Sequence, residues 1–144
     1  MRFYRLVFAV VLSWFVWGVA HVWSATNDRQ IMETMVDPSA NLIWRSVSTV
    51  VTVDEVKETF PRSDKEWNDL RKAATRLAEG GRLLKTSRSR WDDRDWLKWS
   101  QAIVDAADLT LKAVDARSPD RILDAGEKIY ETCVACHGGY SVMR

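Results

Sequence analysis

The fold is decided by the stretch 63–84, which reads SDKEWNDLRKAATRLAEGGRLL. Ser63 and Glu66 form a capping box, in which a hydroxyl and a carboxylate each bind a free backbone amide at a helix start. Small and apolar residues then recur at steps of 3, 4, 3, 4 and 3, the spacing of a buried helical seam. This stretch therefore predicts one long helix that packs against other helices. The seam consists of Trp67, Leu70, Ala74, Leu77, Gly81 and Leu84.

The segment before this seam predicts a first helix that starts at Asp37-Pro38, where a cap is followed by proline at the first helical position. We expect residues 26–36 to form an earlier helical segment, kinked or broken at Pro38 because proline lacks a backbone donor and crowds the preceding turn. The run TVVTV at 49–53 ends the helix weakly and leaves a strand as an alternative. The inward face consists of Val36, Ala40, Ile43, Val47 and Val50.

Two more helices follow the seam, after a polar loop at residues 85–91. Asp92 or Asp93 can cap a helix that runs to about Ala116, and Ser118-Pro119 repeats the signal of a cap followed by proline. Because the connections are short, neighbouring helices should run antiparallel, and we expect an all-α, up-down four-helix bundle. The inward positions are Trp96, Trp99, Ile103, Ala106 and Ala113 in the third helix, and Ile122, Ala125, Ile129, Cys133 and Cys136 in the fourth.

The first 25 residues predict an export signal. Two arginines precede the uncharged run LVFAVVLSWFVWGVA at 6–20, and small residues then place a cleavage before His21 or before Ala25. The alternative is an uncleaved anchor, because about 18 apolar residues approach the lower limit for a membrane span. In either case residues 26–144 form one domain outside the cytoplasm, with the periplasm as the expected location.

Composition argues against two classes of function. The 21 lysines and arginines nearly balance the 20 acidic residues, and both signs are interspersed. Without a basic patch, nucleic acid is not an expected partner. The sequence shows no catalytic base, nucleophile or substrate-binding motif, so we do not expect an enzyme.

The two cysteines of the chain belong to the motif Cys133-Val134-Ala135-Cys136-His137. On a helix, cysteines three residues apart share a face, so both thiols can reach the two vinyl groups of one porphyrin. His137 lies four residues after Cys133 on that face, where its imidazole can bind the iron. The spacing therefore predicts one covalently attached haem c, with Cys133 and Cys136 as the attachment points and His137 as an iron ligand.

Three other interpretations of this motif are weaker. A disulfide between Cys133 and Cys136 would be awkward on a helix and would close only a short loop. A thioredoxin-like dithiol needs a helix N-terminus, whereas this pair lies near the predicted end of a helix. Zinc needs more ligands, and the one other histidine is His21, in the predicted signal.

With this motif close to the C-terminus of a predicted four-helix bundle, the chain resembles the class II c-type cytochromes, the family of cytochrome c′ and its low-spin relatives. The resemblance rests on Cys133, Cys136 and His137, followed by Tyr140 where the family often has an aromatic residue. Ser141 departs from the basic residue that commonly follows. The resemblance implies an electron carrier with a redox partner protein; the alternative is a five-coordinate, gas-binding haem protein of the cytochrome c′ type.

The resemblance also implies that the first helix supplies the other face of the iron. Met32 is the expected distal ligand by likeness to the low-spin relatives, and Met35 is the alternative. Core packing is the competing role for both methionines. The same likeness assigns Arg29 to a haem propionate, against a solvated surface position. A homodimer remains open, and contact with a membrane is expected only if the N-terminal segment stays uncleaved.

Overall fold

The computed structural model describes residues 28–87 and 93–140, which form four helices and a small two-stranded sheet. The predicted signal peptide at 1–25 lies outside the described residues, as do Asp92, Ser141 and Met143. The first helix, α1 (28–46), comprises Asp28–Ile31, a π-helical turn at Met32–Val36, and Asp37–Ser46. It is followed by β1 (Ser48–Val51), β2 (Val56–Thr59), α2 (Asp64–Lys85), α3 (Arg94–Asp115) and α4 (Pro119–Tyr140). The expectation of a mainly helical protein is confirmed.

Helix α1 differs from its prediction around Pro38. Asp37 does not start the helix, because the helical residues already run from Asp28. Instead of a break at Pro38, the backbone widens just before it, where the Asp37 N–H donates to the Met32 carbonyl five residues back. A π turn of this kind lets the helix continue past a proline that lacks a donor and crowds the carbonyl of Thr34.

A hairpin replaces the weak end of the predicted first helix. Strands β1 and β2 pair antiparallel, with Ser48 opposite Thr59 and Val51 opposite Val56. Val50 was expected on the inward face of the helix, but it lies exposed in β1. The physical reason is the β-branched run at 49–53, whose side chains lose rotamer freedom in a helix and fit a pleated strand.

Helix α2 confirms the capping box and the buried seam. The Ser63 hydroxyl accepts from the Glu66 N–H, and the Glu66 carboxylate accepts from the Ser63 N–H at 2.8 Å. Every predicted seam position is buried, from Trp67 at the start to Leu84 at the end. The seam therefore forms the inner face on which α1 and α3 pack.

The remaining helices contact one another in sequence, and α4 also contacts α1. Asp93 caps α3 by accepting from the N–H groups of Asp95 and Trp96. Arg117, at φ 47°, turns the chain between α3 and α4, and the indole N–H of Trp44 in α1 donates to the Gly126 carbonyl in α4 at 2.9 Å. Each helix thus contacts two others. Within residues 28–87 and 93–140, no helix is long and apolar enough to cross a bilayer.

Candidate functional site

A cavity of about 630 Å³ lies at the end of α4, between residues of all four helices. Its volume falls in the range of small-molecule and cofactor sites, roughly 300–1,000 Å³. Apolar walls come from Leu84 in α2 and from Trp96 and Ile103 in α3, all buried. The remaining lining includes the groups that the sequence singled out: Arg29, Met32, Cys133, Cys136, His137 and Tyr140.

Helix α4 supplies the two thiols and the imidazole. The helix continues to Tyr140, so the motif lies in its last turns and all three side chains reach the same cavity. Cys133 and Cys136 are half-buried and free of a disulfide, and His137 is exposed. Because the motif lies at the C-terminal end of a long helix, the helix dipole opposes negative charge there.

The electrostatics of Cys133 favour the neutral thiol. Burial raises the pKa of this thiol above its ordinary value, and the negative charge of Asp37 in α1 raises it further. A nucleophilic redox cysteine needs the opposite, a pKa lowered by positive surroundings. The environment of Cys133 therefore resembles that of an attachment or structural cysteine more than that of a catalytic dithiol.

The two methionines of α1 have different positions. Met32, the first residue of the π turn, lines the cavity beside the α4 motif and packs partly buried against the core. Met35 lies on another face, in a surface hollow with Arg71 and Arg76 of α2. The structure thus brings Met32, and not Met35, together with Cys133, Cys136 and His137.

One wall of the cavity is held by a chain of polar and aromatic contacts. The indole N–H of Trp96 donates to the Leu84 carbonyl at 2.8 Å, and the rings of Trp96 and Tyr140 pack in a T shape with centroids 5.3 Å apart. The Tyr140 hydroxyl donates to the Asp93 carboxylate at 2.8 Å. The sequence predicted Asp93 only as a helix cap. Its hydrogen bond with Tyr140 joins residues 47 apart in the chain, and no local sequence pattern signals such a contact.

Arg29 lies at the rim of the cavity in an ion pair. Its guanidinium Nε is 2.7 Å from the Glu33 carboxylate, and both side chains are solvent-exposed. The hydrogen bond that Arg29 donates to Glu33, and then the negative charge of that carboxylate, raise the pKa of Arg29 above its usual value. Glu33 was not singled out from the sequence, although the spacing of four residues on a helix signals such a pair. A pair this exposed stabilises the fold little.

Within residues 28–87 and 93–140, no group of three or more His, Cys, Asp and Glu side chains is arranged to hold a metal ion. Comparisons with protein-family models, with curated proteins and with solved structures found no match.

Proposed function

We propose that this protein is a class II c-type cytochrome, in which the four helices form an antiparallel up-down bundle around one covalent haem. The particular member we propose is an exported, periplasmic electron carrier of the low-spin type. Cys133 and Cys136 attach the haem, His137 is the proximal iron ligand and Met32 is the distal ligand. The bundle is supported by the contacts of each helix with two others and by the short connection between α3 and α4.

One observation carries this proposal: a single cavity collects the α4 motif and a thioether from α1. The C-x-x-C-H spacing alone accounts for two attachment points and one ligand. It makes no demand on residues at the other end of the chain, yet Met32 lies in the same cavity. The lining therefore offers two thiols, an imidazole, a thioether and apolar walls, a set of groups that fits a haem c.

The haem would supply reversible one-electron chemistry at its iron, and the protein residues would set the conditions for it. The two thiols of α4 would hold the group in place, and the same helix would present the imidazole of His137 to it. The thioether of Met32 is a soft ligand that favours ferrous iron and raises the reduction potential. The walls formed by Leu84, Trp96 and Ile103 exclude water, which also disfavours the more highly charged oxidised state.

To bind a haem propionate, the Arg29 guanidinium would have to leave Glu33 or bind both carboxylates at once. The carboxylate of Glu33 and a propionate carry the same charge, and the exposed pair with Glu33 costs little to break. Because Arg29 already lies at the rim of the cavity, this exchange needs only a side-chain rotation.

Expression in a host that attaches haem c tests the cofactor and the export together. We expect the intact mass of the purified protein to include one haem and to lack the signal segment. The Cys133→Ser/Cys136→Ser double variant is the control and should carry no haem. Wild-type protein with the mass of its polypeptide alone would rule out the proposed cofactor, and a haem-bearing protein that keeps residues 1–25 would identify a membrane anchor.

Spectra of the haem-bearing protein test the distal ligand. We expect a low-spin ferric spectrum with the weak red absorption of thioether-ligated iron, and slow, incomplete binding of carbon monoxide to the reduced protein. Met32→Ala should abolish the red absorption, whereas Met35→Ala should keep it because Met35 lies in a different hollow. A high-spin wild-type spectrum with rapid, complete carbon monoxide binding would instead identify the gas-binding alternative.

A further inference from the structure

We propose that Pro38 is a positioning residue which determines that Met32 packs against the core in the cavity, while Glu33 lies at its exposed edge. This inference rests on the proposed haem site and adds a cause for its distal ligand. Pro38 imposes the π turn at Met32–Val36, and that turn sets the rotation of the N-terminal part of α1.

The packing of α1 on α2 is consistent with such a turn. Ile31 and Val36 are both 2% exposed, and both pack at Gly80 of α2. A β-carbon placed on Gly80 would lie 2.8 Å from Val36 Cγ2 and 3.8 Å from Ile31 Cγ2. In a regular α-helix, residues five apart point about 140° away from each other. In a π turn they lie about one full turn apart, which brings both side chains to the same glycine.

A regular helix would present a different residue to the cavity. With Val36 held in the core, the residue one α-turn earlier is Met32, which would take the place of Ile31 against Gly80. Glu33 would then move into the position that Met32 has in the structure. The position packed against the core would lose its soft thioether to the Glu33 carboxylate, a hard and charged ligand that now lies at the exposed edge of the cavity.

Pro38 is the residue in this segment that disfavours the regular helix. It has no N–H to donate to the carbonyl of Thr34, and its ring crowds that carbonyl. The observed bond from the Asp37 N–H to the Met32 carbonyl follows the wider π pattern. Without the proline, the commoner i→i−4 bonding becomes available, since π turns are rare in helices that are free to close.

Two sets of changes, alone and combined, test this role in the haem-bearing protein. The first is Pro38→Ala. The second is Met32→Ile with Glu33→Met, which moves the methionine along the helix by one residue. Each set alone should abolish the red absorption of thioether-ligated ferric haem, and the triple variant should restore it. The proline control is Pro119→Ala, at the first residue of α4, where no preceding helical carbonyl is crowded; it should keep the absorption.

Methyl NMR on labelled methionines provides a readout that does not depend on iron ligation. In Pro38→Ala, the methyl group of Met32 should come into contact with Gly80, where Ile31 lies in the wild type. If Pro38→Ala keeps the absorption, Met32 gains no contact with Gly80 and the triple variant shows no restoration, core packing alone holds the turn and the inference is overturned. Intact mass tests the proposed function separately: if the wild type and every variant have the mass of the polypeptide without haem, the proposed haem site itself is wrong.

Discussion

Replacing Gly81 by alanine would test the close contact between α2 and α3 that shapes one wall of the cavity. A β-carbon on Gly81 would lie 2.9 Å from Val104 Cγ2, 3.0 Å from the Ser100 carbonyl oxygen and 3.2 Å from Ile103 Cγ2. Real β-carbons essentially never approach other atoms below 3.0 Å. Since the Ser100 oxygen belongs to the backbone of α3, it can move only if the helix moves, and Ser100 and Ile103 both line the cavity.

Two opposing effects set the magnitude for Gly81→Ala. Helix propensity favours alanine over glycine by about 1 kcal/mol in a helix interior. Overpacking a well-packed contact costs about 1–3 kcal/mol. Because one of the three close atoms is backbone, we expect a cost in the upper part of that range. The free energy of unfolding should therefore fall by about 1–2 kcal/mol, and the cavity wall should shift with α3.

Urea unfolding measures this change, and an exposed position of the same helix calibrates it. Thr75 is exposed on α2, so Thr75→Ala should be more stable than Thr75→Gly by about 1 kcal/mol, the propensity effect alone. Subtracting the Thr75 difference from the change in unfolding free energy of Gly81→Ala gives the packing cost at Gly81, provided that the urea m-values of the variants are equal. If Gly81→Ala instead gains as much stability as the Thr75 pair, α2 and α3 are not packed as closely as described.

Two further substitutions test the cap of α2 and the wall of the cavity. Ser63→Ala should cost about 1 kcal/mol at neutral pH. Hydrogen bonds from the Ser63 hydroxyl and from two backbone amides lower the pKa of Glu66. The difference in unfolding free energy between wild type and Ser63→Ala should therefore be present at neutral pH and shrink as the pH falls through that lowered pKa. A difference that stays unchanged in acid would contradict the capping box. Trp96→Phe removes the hydrogen bond to the Leu84 carbonyl and should cost about 1 kcal/mol in thermal or urea unfolding, since that carbonyl keeps a second bond within its turn. Trp99→Phe, one turn along α3 and half-buried, is the matched control, and an equal loss there would argue against a specific role for the indole N–H.

The helices of this protein could be predicted where the signals are local. Residues within a few turns of one another form the capping box at Ser63, the cap at Asp93 and the buried face of α2. The C-x-x-C-H motif is local in the same sense, because one helix positions all its groups. The hairpin at 48–59 was less predictable, since a β-branched run suits either the end of a helix or a strand until its pairing partner is known.

The amino-acid sequence by itself determined the helical class, the helix caps and the spacing of the motif, because each depends on neighbours along the chain. Only the tertiary structure decided which methionine reaches the cavity and which residues form its walls. Met32 lies in the cavity and Met35 in a different hollow, and the π turn between them accompanies the contacts of Ile31 and Val36 with Gly80 on another helix. Contacts of this kind join residues far apart in the chain, so no periodic pattern within α1 could specify them.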